Sequence, residues 1–196
     1  MALWFLCVSG YSAADQRALE DLNWGIAQAD GCRESLFSDL QSLRRAGGEG
    51  LAVGIRLLDT QGIERELVLT KRGEGLTAAV GVVIAEVPLS KQLAAIHAKD
   101  PNLGPREACT RVKTSSVKTD SDTRLEDAIA ELKSLSFNPV LQAPFVLHGK
   151  YYKIWVFSGS TASHYDFGGV ASDSTERSPL QTWSDRLLKV MWPDLE

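Results

Sequence analysis

A chain of 196 residues, 44% hydrophobic and 23% charged, can fold around one core without metals or a dense disulfide framework. Its formal net charge is -4, which argues against general affinity for nucleic acid or anionic membrane, since both need clustered Lys and Arg. No apolar run approaches the roughly 20 residues that span a bilayer, so stable membrane insertion is not expected.

The first element is ambiguous. Ala2-Leu3-Trp4-Phe5-Leu6-Cys7-Val8 has about the minimum length of a signal h-region, and Ser12-Ala13-Ala14 offers small residues ahead of a cut before Asp15. The basic n-region is missing. Residues 1–14 therefore read as a signal-peptide remnant before a single α+β domain over residues 15–196. The competing reading is a buried opening strand from Leu3 to Val8. Ser12 suits the cap of the helix that follows, with Asp15 three residues on. Losing residues 1–14 removes Cys7 and leaves Cys32 and Cys109, an even pair that reads as one disulfide in an exported chain. Buried free thiols are the alternative.

Asp15 to Ala29 carries Leu19, Leu22, Ile26 and Ala29 at helical spacing, which predicts that face as the buried one. Asp30-Gly31 is expected to break or kink this helix. Arg33 to Ala46 repeats the pattern with Leu36, Leu40 and Leu43, and Gly47-Gly48 stops it. Leu51 to Leu58, a turn at Asp59–Gly62 and Ile63 to Thr70 form a hairpin. Leu76 to Val87 is apolar and β-branched, and predicts a central strand covered on both sides. Leu89 to Ala98 is a short helix with Leu89, Leu93 and Ile96 inward.

Asp100 to Glu107 is a Pro/Gly loop. Ala108 to Thr119 alternates and predicts an edge strand blunted by charge. Thr123 with Glu126 resembles a capping box for a helix to Leu135, with Leu125, Ile129, Leu132 and Leu135 on one face. Phe145 to Leu147 and Tyr151 to Phe157, joined through His148-Gly149-Lys150, read as a hairpin. Ser158 to Thr175 reads as a long Ser/Gly loop. Ser178-Pro179-Leu180-Gln181 is a strong helix start, with Ser at the N-cap and Pro at the first position. Leu180, Trp183, Leu187 and Val190 face inward. The order ααβββαβαββα predicts an α+β fold, with a mainly antiparallel five- or six-stranded sheet and helices packed on one face.

Signals for chemistry are sparse. His97, His148 and His164 fit no metal-binding spacing, and no phosphate-binding glycine motif or nucleophile elbow is present, so no metal, cofactor or catalytic set is assigned. The sharpest enzymatic pattern is Ser163-His164-Tyr165-Asp166, with His148 as a further base. Adjacent residues seldom form a catalytic group, because such groups converge in space. The binding candidates are His148, at an expected hairpin tip, with Tyr151, Trp155, His164 and Tyr165, because aromatic sets favour protein contacts.

The preferred expectation is a non-catalytic, periplasmic or secreted domain that binds another protein, such as an inhibitor or immunity protein acting against a secreted toxin or enzyme. A small hydrolase using His164 or His148 with Asp166 is the alternative. An accessory subunit of an envelope complex is a third, and a cytoplasmic location is the alternative to export. Oligomeric state has no signature in the sequence.

Overall fold

The computed structural model describes residues 12–37, 40–59, 64–73, 75–84, 87–119, 122–132, 134–135, 150–168 and 178–193. Residues 1–11, which carry the signal-like run, and His148 lie outside them. The chain divides into two compact units: Met1–Arg33 with Leu89–Val112, and Glu34–Pro88 with Lys113–Glu196.

The second unit holds the sheet. Its strands are β1 (Leu51–Asp59), β2 (Arg65–Arg72), β3 (Gly75–Ile84), β4 (Thr114–Thr119), β5 (Lys150–Ser158) and β6 (Thr161–Gly168), with helices α2 (Leu40–Gly48), α5 (Thr123–Leu132) and α6 (Pro179–Met191). The six strands run β4-β3-β2-β1-β5-β6, all pairs antiparallel. The α+β class and the antiparallel sheet agree with the sequence pattern.

Strand alternation sends residues to two cores. Val53, Ile55 and Leu57 of β1 join Leu67, Leu69, Tyr152 and Ile154 beneath Leu125, Ile129, Trp183, Leu187 and Leu188 of α5 and α6. On the other face Ala52, Trp155 and Phe157 pack with Leu43 of α2. The helices thus divide between both faces rather than sharing one. The reason lies in β1 and β5, where apolar residues occupy both alternation sets. Each face then needs its own cover. Two polar groups in the larger core are paired: Trp183 Nε1 donates to the Ala128 carbonyl at 2.6 Å, and the Tyr152 hydroxyl to Asp185 at 2.5 Å.

Several local expectations change. β3 is second from the edge, and β1 and β2 are the middle strands. The edge strand expected from Ala108 starts only at Thr114, and β4 is exposed along almost its whole length. Ser158–Thr175 is not all loop, because Gly159 and Ser160 turn the chain and Thr161–Gly168 pairs with β5. Gly159 has φ +57°, which it adopts without the strain a side chain would bring at the first position of a tight hairpin turn. The first strand and turn of the hairpin predicted around His148, residues 145–149, lie outside the described residues, and its second strand, Tyr151 to Phe157, falls within β5, which pairs with β1 and β6. The α5 cap is Asp122 rather than Thr123. Its carbonyl takes the Glu126 N–H, and its carboxylate accepts from Arg124, which holds that carboxyl below its ordinary pKa. In α6, Ser178 caps as the sequence predicts, its Oγ accepting the Gln181 N–H at 3.1 Å.

The first unit is built from α1 (Ala13–Leu36), up to Arg33, with α3 (Leu89–Lys99) and α4 (Pro105–Thr110). Ser12 and Asp15 make a reciprocal cap: the Asp15 N–H donates to Ser12 Oγ at 3.2 Å, and the Ser12 N–H to Asp15 Oδ2 at 3.1 Å. The Ser12 hydroxyl, then its N–H, hold the Asp15 carboxyl below its ordinary range. Asp30-Gly31 does not break α1, since Gly costs a helix interior only about 1 kcal/mol. Residues 105–110, expected as loop and strand, form α4. Gly104 is its extended N-cap and Pro105 starts it, so Cys109 lies on a helix.

The buried face of α1 also differs from expectation. Asp21, Gly25, Ala29 and Cys32 are buried, whereas Leu19 and Ile26 are 55% and 57% exposed. Gly25 explains the rotation. A Cβ there would overlap the Ser90 carbonyl oxygen and sit 2.8 Å from the Ala94 backbone nitrogen of α3. The two helices cross backbone to backbone, and only small residues fit between them. Cys32 of α1 and Cys109 of α4 come together at disulfide distance, with Cα atoms 5.4 Å apart.

Candidate functional site

Two places gather polar and aromatic side chains, one in each unit. In the first unit, α1 and the end of α3 border an open cavity of about 480 Å³, lined by Gln16, Arg17, Glu20, Asp21, His97 and Pro101. The i, i+4 spacing of α1 puts Gln16, Glu20 and Arg17, Asp21 on adjoining rows of one side. His97 enters from the last turn of α3, where a basic group suits the helix dipole.

His97 Nδ1 lies 2.6 Å from Asp21 Oδ1, a hydrogen bond in which the ring N–H donates to the carboxylate. Their side chains are only 18% and 13% exposed. The imidazole also stacks on Trp24, with centroids 4.4 Å apart and planes 18° from parallel. The hydrogen bond fixes the ring's rotation and the stack fixes its plane. Among the described residues Nε2 has no hydrogen-bond partner, and neither Arg17 nor Glu20 has an ion-pair partner. An imidazole held this way presents one nitrogen as a fixed acceptor.

In the second unit, Arg56 and Glu66 face each other across β1 and β2, each 1% exposed. Arg56 Nε donates to Glu66 Oε2 at 2.5 Å and Arg56 Nη1 to Glu34 Oε1 at 2.9 Å. The guanidinium lies over the Trp155 ring at 4.8 Å and the Phe37 ring at 5.2 Å. Buried charges survive only when paired and hydrogen-bonded, and this one has carboxylates and ring faces around it. Sequence periodicity read β1 as an apolar strand and gave no sign of this cluster.

Of the residues singled out from the sequence, Tyr151, Trp155, His164 and Asp166 lie on this sheet face. Trp155 and His164 are cross-strand partners, stacked with centroids 5.2 Å apart and planes 5° from parallel. Trp155 is buried under α2, so it does not form an exposed patch. Tyr151 is exposed, and partial burial, with its hydrogen bond to the Asp166 carboxylate adding to it, pushes its phenol pKa up to about 12. Tyr165 points to the opposite face, half-buried against the larger core. His164 and Asp166 share a face of β6, yet His164 is engaged with Trp155 and Asp166 with Tyr151. His97 and Asp21 escaped sequence reasoning because they lie 76 residues apart. The one available sign was an acidic residue in register with Gly25 and Ala29 on α1.

Among the described residues, no group of three or more His, Cys, Asp or Glu is placed to hold a metal ion. No helix among them is long and apolar enough to cross a membrane. No protein-family model matches the chain, and neither a curated protein nor a solved structure matches it.

Proposed function

We propose that the chain is a non-catalytic binding domain that acts outside the cytosol by seating the outer face of α1 in an apolar groove of another protein. The observation that carries this reading is the exposure of Leu19 and Ile26, 55% and 57%, two turns apart on one helix face. Such a pair, with Leu22 between them, has the anchor spacing of helix-in-groove recognition. Asp15 and Asp30 bracket the stripe, with Asp30 paired to Arg33, so the fitting partner is a groove whose rim is polar and whose floor is apolar. An inhibitor or immunity protein against a secreted toxin or enzyme is the role this mode of contact suits best, and an accessory subunit of an envelope complex is the next.

The disulfide-distance pair Cys32–Cys109 supports an oxidising compartment, periplasmic or secreted. Processing ahead of Asp15 would remove the Ser12 cap, which typically contributes about 1 kcal/mol. The hydrolase alternative needs His164 or His148 to converge with Asp166. No observed contact favours that over the binding reading.

The test is a paired affinity capture from envelope and secreted fractions, using the wild-type chain and the variant carrying Leu19→Asp and Ile26→Asp. Wild type should recover a protein that the variant loses, with equal circular dichroism for both chains. Equal recovery by both, or recovery by neither, overturns the proposal.

A further inference from the structure

The α1–α3 cavity suggests a role separate from the exposed stripe of α1. Its wall holds a largely buried Asp21–His97 pair whose ring is locked by a 2.6 Å hydrogen bond and by the Trp24 stack. Buried polar pairs cost desolvation, and an atom of such a pair that protein leaves unbonded, as His97 Nε2 is, stays open to water or a ligand. Here Nδ1 is satisfied and Nε2 has no protein hydrogen bond among the described residues. With Nδ1–H donating to the Asp21 carboxylate, the ring turns Nε2 to the cavity as a hydrogen-bond acceptor.

The remaining lining supplies two opposite charges. Arg17 and Glu20 stand three residues apart on α1, so their side chains start about 5–6 Å from each other on the helix surface. Neither is neutralised by an ion pair among the described residues. A ligand that is only anionic would meet Glu20 and Asp21, and a purely cationic one would meet Arg17. A molecule carrying both charges a few bonds apart matches both. The volume of about 480 Å³ accommodates an amino acid with its side chain, or a dipeptide.

We propose that this cavity binds a small zwitterion, an α-amino acid or short peptide. Arg17 holds its carboxylate, and Glu20 and His97 Nε2 receive its ammonium group. Trp24 and Asp21 are positioning residues: they set the plane and the tautomer of His97 and do not themselves grip the ligand.

The experiment follows the His97 ring resonances of the full-length chain by nuclear magnetic resonance. The probes are glycine, L-alanine, L-glutamate, L-lysine and alanyl-alanine, with acetate and methylamine as single-charge controls. At least one zwitterion should shift the His97 signals saturably at millimolar concentration, while neither control does so at the same concentration. Arg17→Gln and Glu20→Gln are exposed substitutions that should leave the fold intact by circular dichroism. Each should weaken binding by about tenfold or more, the scale of losing one charge-assisted hydrogen bond. Absence of a shift with every probe, an equal saturable shift with acetate or methylamine alone, or unchanged affinity in both variants overturns the proposal.

Discussion

The two units reach order by different means. The second unit follows strand alternation. Apolar side chains leave both faces of β1 and β5, and helices cover each face. Large residues fill its interior, and the buried Arg56 pairs with Glu66 and Glu34. Among the described residues the first unit buries fewer large side chains, chiefly Leu89, Leu93, Leu103 and Val112. Its helices meet at Gly25 with backbone against backbone, Asp21 and His97 are paired beside that crossing, and Cys32 and Cys109 lie in bonding reach. A chain can therefore hold one region by hydrophobic volume and another by close approach, a polar pair and a covalent tie. The second kind leaves large apolar residues such as Leu19 and Ile26 outside.

Three perturbations sharpen this contrast. The largest effect belongs to the sheet. Arg56→Ala removes the guanidinium that Glu66 bonds in a buried site, and should cost about 3–5 kcal/mol in urea denaturation. Replacing both partners by apolar residues, Arg56→Met with Glu66→Leu, should recover most of that loss. If Arg56→Ala costs less than about 1 kcal/mol, on the scale of a surface ion pair, the cluster is not part of what holds the second unit.

Next comes reduction of Cys32–Cys109. The sequence separation is 77, and chain entropy for a loop of that size corresponds to roughly 4–5 kcal/mol. Hydrogen exchange should show the loss concentrated in α1, α3 and α4. Uniform loss, extending equally through β1 and β5, would contradict the division of labour between the units.

The smallest effect is at high pH. Tyr151 ordinarily ionises near 10.0, and partial burial first, then Asp166, raise this to about 12. The folded state thus keeps the phenol protonated where the unfolded chain would release the proton. The stability this contributes is complete below about pH 10 and is lost as pH rises through about 12. Phenolate absorbance, compared between the wild-type chain and Tyr151→Phe, isolates that step. Asp166→Ala should lower its pKa only part of the way, because burial is the larger cause.

Legibility in the sequence followed the same contrast. The β1–β2 hairpin and the start of α6 were readable because alternation, turn residues and the Ser178-Pro179 pair are local signals. β6 was not: in TASHYDFG the apolar residues are too few and too exposed to show a period, and pairing with β5 defines the strand. The face of α1 was misjudged because periodicity weighs Leu19 and Ile26 above Gly25, whereas a close helix crossing selects the smallest side chain. The pairing of Cys32 with Cys109 followed from counting, although Cys109 was expected on a strand. The Asp21–His97 pair and the Arg56 cluster had no local signature, since each depends on segments brought together by folding.

The placement of the two cysteines also bears on synthesis. Between Cys32 and Cys109 the ribosome must produce the whole β1–β2–β3 meander. Cys32 therefore emerges early and has no bonding partner in α4 until Cys109 has followed. β1, meanwhile, has β2 at one side and waits for β5 at the other. The first unit is complete in sequence at Val112, before the second unit has acquired β5, β6 or α6. The nascent chain can thus tie its helices while the sheet is still half made, and an oxidant or isomerase acting during synthesis would meet the thiols in that interval.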